Sequence, residues 1–186
     1  MISKEERCDN LIFVTVSDTG SKHRVLCMPN QDAVGFDCID DDFVIVVSDG
    51  VGSCKEAETG SKYVVDAVRR LFSNIKSCEL QLDNHEMAET IISYWRAAIG
   101  DNPVDEYCAT VKAVIKIAST AKIISLGDGI AAITSNGMKL TSPVEEANFA
   151  NETKCLSSFV SPENLWISDF HLDMYVPYAV FCCTDG

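Results

Sequence analysis

The stretch "FVIVVSDGVGS" (residues 43–53) constrains the chain more than any other. Five consecutive apolar residues, three of them valine, read as a buried strand. The strand then runs straight into Ser-Asp-Gly and a second glycine, ahead of a segment with helical period. Asp-Gly at a strand end has an ordinary cause, because Asp tolerates turn conformations and Gly supplies positive φ. Here, however, the pattern recurs. Apolar runs also deliver an aspartate just before a glycine in "SLGDG" (Asp128) and "CCTDG" (Asp185), and Asp32 in "NQDAVGF" opens a further strand.

A carboxylate on a rigid strand end can be aimed inward, and a following glycine lets a backbone carbonyl approach an ion. Carboxylates, carbonyls and water are the ligands of Mg²⁺ and Mn²⁺, unlike the thiolates and imidazoles of ordinary zinc sites. Carboxylates shared between two such ions, about 3.5–4 Å apart, are a recurrent arrangement for hydrolysing phosphate esters.

At 186 residues the chain has room for one domain with a sizeable core. A formal charge of −13 argues against nucleic acid and anionic membrane surfaces as partners, since both demand a basic face. No apolar run approaches the ~18 residues of a spanning helix. "MISKEERCDN" carries charge with no apolar segment behind it, so no signal peptide is expected and the location reads as cytoplasmic. Nine cysteines, none in zinc-knuckle spacing, then read as reduced thiols used as small core residues. Cys27 and Cys54 lie near the carboxylate motifs and are open to oxidation.

Along the chain, strands are expected at residues 11–17, 32–37 and 43–49, with Asp40, Asp41 and Asp42 forming a solvated hairpin turn. Apolar residues at helical spacing predict helices over 56–75 and 85–99. Strands return at 110–118 and 121–128, followed by an Asn-Gly hairpin in "IAAITSNGMKLTS". Residues 143–173 read as loop with short pieces of structure, and "YAVFCCTDG" as a last buried strand. This order is not regular βαβ alternation; it indicates an α+β domain of hairpin-linked sheets packed under helices.

Four motifs in order carry a resemblance to the metal-dependent type 2C (PPM-type) Ser/Thr protein phosphatases. They are "NQDAVGF", "VVSDGVGS", "YCATVKAVI" with "ISLGDG", and "FCCTDG"; the spacing in "GSKHRVLCMPNQD" is similar to bacterial members. The resemblance implies a four-layer α-β-β-α sandwich, two antiparallel β-sheets flanked by helices, with two or more Mn²⁺ or Mg²⁺ ions at one end. It implies that Asp49 bridges two ions, that the Gly50 carbonyl binds one, and that Asp185 holds an ion from the opposite sheet. Asp32 would position the attacking water, and Asp128 would serve a further, weaker metal site. The implied substrate is a phosphoprotein.

The sequence departs from the family pattern at named positions. Cys27 stands where many members carry a phosphate-gripping arginine, a bidentate role that Arg24 or His23 could take; His23 could also protonate the leaving alkoxide. Val51 follows Asp-Gly where animal-type members have His, and Gln31 replaces the usual acid. The family fold continues through another helix and a final strand with one more metal-binding aspartate, so a chain over 1–186 is expected to be a single domain truncated before both. The competing reading is a pseudophosphatase, the same fold kept as a binding or regulatory module. A phosphate-cradling nucleotide loop at "SDGVGS" fails, because neither G-x-x-x-x-G-K-[ST] nor G-x-G-x-x-G is satisfied.

Overall fold

The apolar run at 43–49 becomes an interior strand of a five-stranded sheet. A computed structural model describes residues 2–8, 10–20, 24–78, 80–143, 154–173 and 175–184. In chain order its elements are β1 (Ile2–Cys8), β2 (Leu11–Ser17), β3 (Asp32–Ile39), β4 (Asp42–Asp49), α1 (Ala57–Cys78), α2 (Asn84–Ile99), β5 (Val111–Ile117), β6 (Thr120–Leu126), β7 (Ile130–Ser135), β8 (Met138–Thr141), β9 (Trp166–His171) and β10 (Tyr178–Cys183). The strands form an antiparallel five-stranded sheet in the order β3-β4-β5-β6-β9, a three-stranded sheet β10-β7-β8 and a ribbon β1-β2.

Two apolar cores lie on the two faces of the five-stranded sheet. On one face, Val44, Val46, Val111, Ala113 and Ile115 meet the apolar stripes of α1 and α2. The α1 stripe follows helical spacing through Ala57, Ser61, Val64, Val68, Leu71 and Phe72, all buried. On the other face, Phe43, Val114 and Ile123 pack with Phe13 of β2 and with Ala131 and Ile133 of β7. The domain is thus α+β, a helical layer on two antiparallel sheets, as the sequence predicts. A second helical layer is not formed by the described residues.

Local chemistry fixes the helices in place. Asp83 and Glu86 form a reciprocal capping box at the start of α2. Arg69 of α1 grips Asp37 of β3 through two bonds of 2.8 and 2.7 Å, and Arg70 lies 4.4 Å over the ring of Tyr94. No helix among the described residues is long and apolar enough to cross a membrane.

Several expectations are corrected. Strand β1 is absent from the sequence reading because its middle, Lys4 to Arg7, is charged throughout and shows no apolar alternation; it pairs with β2 as a ribbon. Strand β9 is one of the short pieces of structure expected within 143–173, and it forms the sheet edge against β6. Asp42 is not solvated: it is 8% exposed and accepts from Lys76 at 2.8 Å, Lys116 at 3.3 Å and the Ala118 amide at 2.7 Å. The cysteines are not uniformly reduced core residues either. Cys8 and Cys38 are joined in a disulfide that ties β1 to β3, Cys27 and Cys78 are exposed, and of the free described cysteines only Cys108 is buried.

Candidate functional site

Asp32 is the first residue of β3 and Asp49 the last of β4, and the antiparallel register sets them directly opposite each other. Residues so paired project from the same face with Cβ atoms about 4.5–5.5 Å apart, and two like charges in that relation repel. A cation between them removes the repulsion. The sequence alone places both aspartates at strand ends; the register brings them together.

The backbone at Asp49 is held from β5's approach. Its amide donates to Thr110 Oγ1 at 2.9 Å, its carbonyl accepts from the Thr110 amide at 2.8 Å, and Ser48 Oγ donates to the Thr110 carbonyl at 2.7 Å. On the other strand, the Asp32 amide donates to Asn30 Oδ1 at 3.3 Å, while Asn30 Nδ2 reaches Ser17 Oγ at 2.7 Å. Gly50 donates to the Gln31 carbonyl at 3.1 Å, and a Cβ at Gly50 would collide with the Ala57 carbonyl at the start of α1. Helix contact therefore demands this glycine, a reason separate from any approach of its own carbonyl to an ion.

Asp128 sits in the turn after β6. Gly127 takes φ +84°, and a Cβ there would meet the Lys154 carbonyl and come within 2.6 Å of Thr110 Cγ2. A Cβ at Gly129 would collide with the Cys183 carbonyl and lie 3.1 Å from Thr184 Cα. The turn is thereby wedged between Thr110, which holds Asp49, and the end of β10. Lys112, fully buried, donates to Gly127 O at 2.5 Å and to Ser125 Oγ at 2.7 Å, fixing the turn from beneath.

Asp185 and His23, assigned metal-binding and acid roles from the sequence, lie outside the described residues. Arg24 is exposed and paired with Asp18 at 2.5 Å, and Cys27 is exposed. Among the described residues no three His, Cys, Asp or Glu side chains are grouped to hold a metal ion. What the register does assemble, two facing carboxylates with a backbone carbonyl following, is an all-oxygen donor set that suits Mg²⁺ or Mn²⁺.

Sequence reasoning gave no role to Asn30, Thr110 or Lys112. Asn30 and Thr110 stand inside motifs already singled out, so their position was a signal. A lysine within the apolar "VKAVI" was the only trace of Lys112.

The sequence model of the family described as protein phosphatase 2C matches residues 19–186. No curated protein matches the sequence. Among solved structures, RsbX in complex with magnesium superposes with a TM-score of 0.65 at 14% identity, over 96% of this chain and 77% of that one. The catalytic domain of the serine threonine protein phosphatase PstP in complex with two manganese ions gives 0.59 at 11% identity, over 99% and 76%. A bacterial serine phosphatase gives 0.54 at 18% identity, over 79% and 69%. At these identities the likeness is one of fold.

Proposed function

The chain belongs to the protein phosphatase 2C family, a family of protein-serine/threonine phosphatases, and from that premise we propose that it hydrolyses phosphoserine and phosphothreonine esters of proteins with the help of two or more Mn²⁺ or Mg²⁺ ions. The direct register of Asp32 opposite Asp49 carries the proposal. Asp49, Asp32, Asp185 and the Gly50 carbonyl would hold the ions as oxygen donors, with Asp128 serving a further, weaker site. Bound there, such ions would supply an acidified water as the nucleophile for phosphate-ester hydrolysis near neutral pH.

The chain's own residues contribute position. Thr110 and Ser48 lock the end of β4, so that the Asp49 carboxylate leaves a fixed backbone. Asn30 does the same for Asp32, and Lys112 holds the turn that presents Asp128. Arg24 is the cation nearest in sequence to the missing phosphate-gripping position; for it to take that role, the surface pair with Asp18 must open. An exposed pair of this kind is screened by solvent and contributes little, so opening costs little.

The test is hydrolysis of p-nitrophenyl phosphate with Mn²⁺ titrated in. A rate that rises with Mn²⁺ and falls at least about 100-fold in Asp49→Asn supports the reading. Metal-independent hydrolysis, or none at any Mn²⁺ concentration, sinks it.

Cys27 and Gln31, where the family pattern has a phosphate-gripping arginine and an acid, favour a second reading as a pseudophosphatase module. Calorimetry separates the two: no heat of Mn²⁺ binding at millimolar concentration selects the module. A cytoplasmic location is supported by the free thiols among the described cysteines and has the Cys8–Cys38 bond against it.

A further inference from the structure

Three cysteines that the phosphatase reading does not use converge behind the loop that follows Asp49. Residues 50–56 of that loop run along residues 105–109. Gly50 bridges to Ala109, the Val51 amide donates to the Cys108 carbonyl at 2.9 Å, and the Glu56 amide donates to the Glu106 carbonyl at 2.9 Å. The side chains close the same gap. Cys54 Sγ donates to the Asp105 carbonyl at 3.1 Å, and Cys108 Sγ donates to that same oxygen at 3.4 Å. Two sulfurs on one acceptor cannot stand farther apart than those two distances laid end to end.

The third thiol, Cys155, precedes Leu156, whose amide donates to the Ala109 carbonyl at 2.9 Å. Burial, then the neighbouring Cys155 and Cys54, hold the Cys108 thiol well above the ordinary cysteine range, and burial also raises Cys155. Both therefore stay protonated near neutral pH. Of the two sulfurs that share the Asp105 carbonyl, Cys54 is half-buried and Cys108 buried, so a small oxidant reaches Cys54 before Cys108.

We propose that Cys54 and Cys108 form a reversible disulfide under hydroperoxide, a modification site that fastens the loop behind Asp49 to the segment 105–109. The sulfur of Cys54 attacks one peroxide oxygen: an S–O bond forms, the O–O bond breaks, and the departing hydroxide leaves as water with the thiol proton. The sulfur of Cys108 then attacks that sulfenic sulfur. The S–S bond forms, the S–O bond breaks, and the second hydroxide takes the Cys108 proton. Two thiols lose two electrons and one hydrogen peroxide becomes two waters.

The proposal rests on this geometry and not on the phosphatase reading, and its test reads bonds rather than activity. The full chain is treated with hydrogen peroxide, alkylated with N-ethylmaleimide and digested with trypsin and Asp-N without reduction. That digestion leaves the three thiols on separate peptides, Asp49–Lys55, Asp105–Lys112 and Cys155–Ser168. The expected product is the first peptide joined to the second, two hydrogens lighter than the pair, and lost on dithiothreitol treatment. In Cys108→Ser, Cys54 should instead be captured by dimedone as its sulfenic acid. Should that variant fail to fold, Cys54→Ser at the half-buried position must abolish the cross-link and leave Cys108 as an alkylatable thiol. A link from either peptide to Cys155–Ser168 overturns the assignment. So does finding Cys54 and Cys108 both alkylated while the exposed Cys27 and Cys78 are oxidised.

Discussion

Asp42 and Asp49 close opposite ends of β4, and their surroundings give them opposite tasks. Asp42 is enclosed by two lysines and a backbone amide. Burial is the largest influence on its carboxyl and pushes the pKa up, but Lys76, the Ala118 amide and Lys116 together outweigh it and the net shift is downward. A carboxylate with a lowered folded pKa stabilises the fold above its unfolded value, about pH 4, and that contribution is lost as pH falls through the folded value. Removing it leaves Lys116, which is 7% exposed, without its countercharge and held, among the described residues, only by the Asp41 carbonyl at 2.7 Å. Asp42→Ala should therefore cost about 3–5 kcal/mol in urea unfolding at pH 7. The gap between variant and parent should narrow when the measurement is repeated below about pH 4. At the other end, Thr110→Val keeps volume but removes the acceptor of the Asp49 amide. It should cost about 1 kcal/mol and lower the Mn²⁺-dependent rate, because a partly buried donor loses its acceptor beside the candidate ligand. An unchanged rate with the stability loss present would separate Thr110 from the site.

Among the elements, the turn carrying Asp128 shows what a glycine is for. Gly127 and Gly137 both have positive φ, +84° and +77°, but a Cβ at Gly127 would strike the Lys154 carbonyl and Thr110, whereas at Gly137 it would meet nothing within 4 Å. Gly137→Ala should cost about 1 kcal/mol, the conformational penalty alone. Gly127→Ala should cost about 1–3 kcal/mol more, from the collision with backbone that cannot swing aside. Equal losses in parallel denaturation curves would mean that the turn is not wedged. This contrast also marks how far a sequence can be read. Both glycines are legible as turn residues, Gly137 from Asn-Gly and Gly127 from the Gly-Asp-Gly around Asp128. The neighbour that makes one of them indispensable is 27 residues away in Lys154 and is set only by tertiary packing. The same division holds for strands. "FVIVVSD" and the Asn-Gly hairpin announce themselves through apolar runs and turn chemistry, and both helices through their period. Strands β1 and β9 do not: one is a charged ribbon, the other an edge strand in a polar region, and pairing rather than burial makes them strands. The four aspartates were visible as a pattern, yet only the β3–β4 register shows that two of them face each other.

For the molecule as a whole, the proposed ions should act on folding as well as on chemistry. A ligand that binds only the native state stabilises it by RT ln(1 + [L]/Kd), about 2.7 kcal/mol when the free ion is at 100 times its Kd. For a chain of this size each kcal/mol moves the melting temperature by about 2–4 °C, so Mn²⁺ should raise it by about 5–11 °C. The formal charge of −13 complicates the reading, since any divalent cation relieves some self-repulsion of an acidic surface. That diffuse effect depends on total charge and ionic strength, and Asp49→Asn alters the total by a single unit. The variant should thus keep any small, salt-like rise while losing the saturable one, and 150 mM salt should suppress the first and spare the second. A melting temperature that climbs equally in parent and Asp49→Asn, and flattens in salt, would locate the cations on the general acidic surface and leave the facing pair of aspartates without an ion to share.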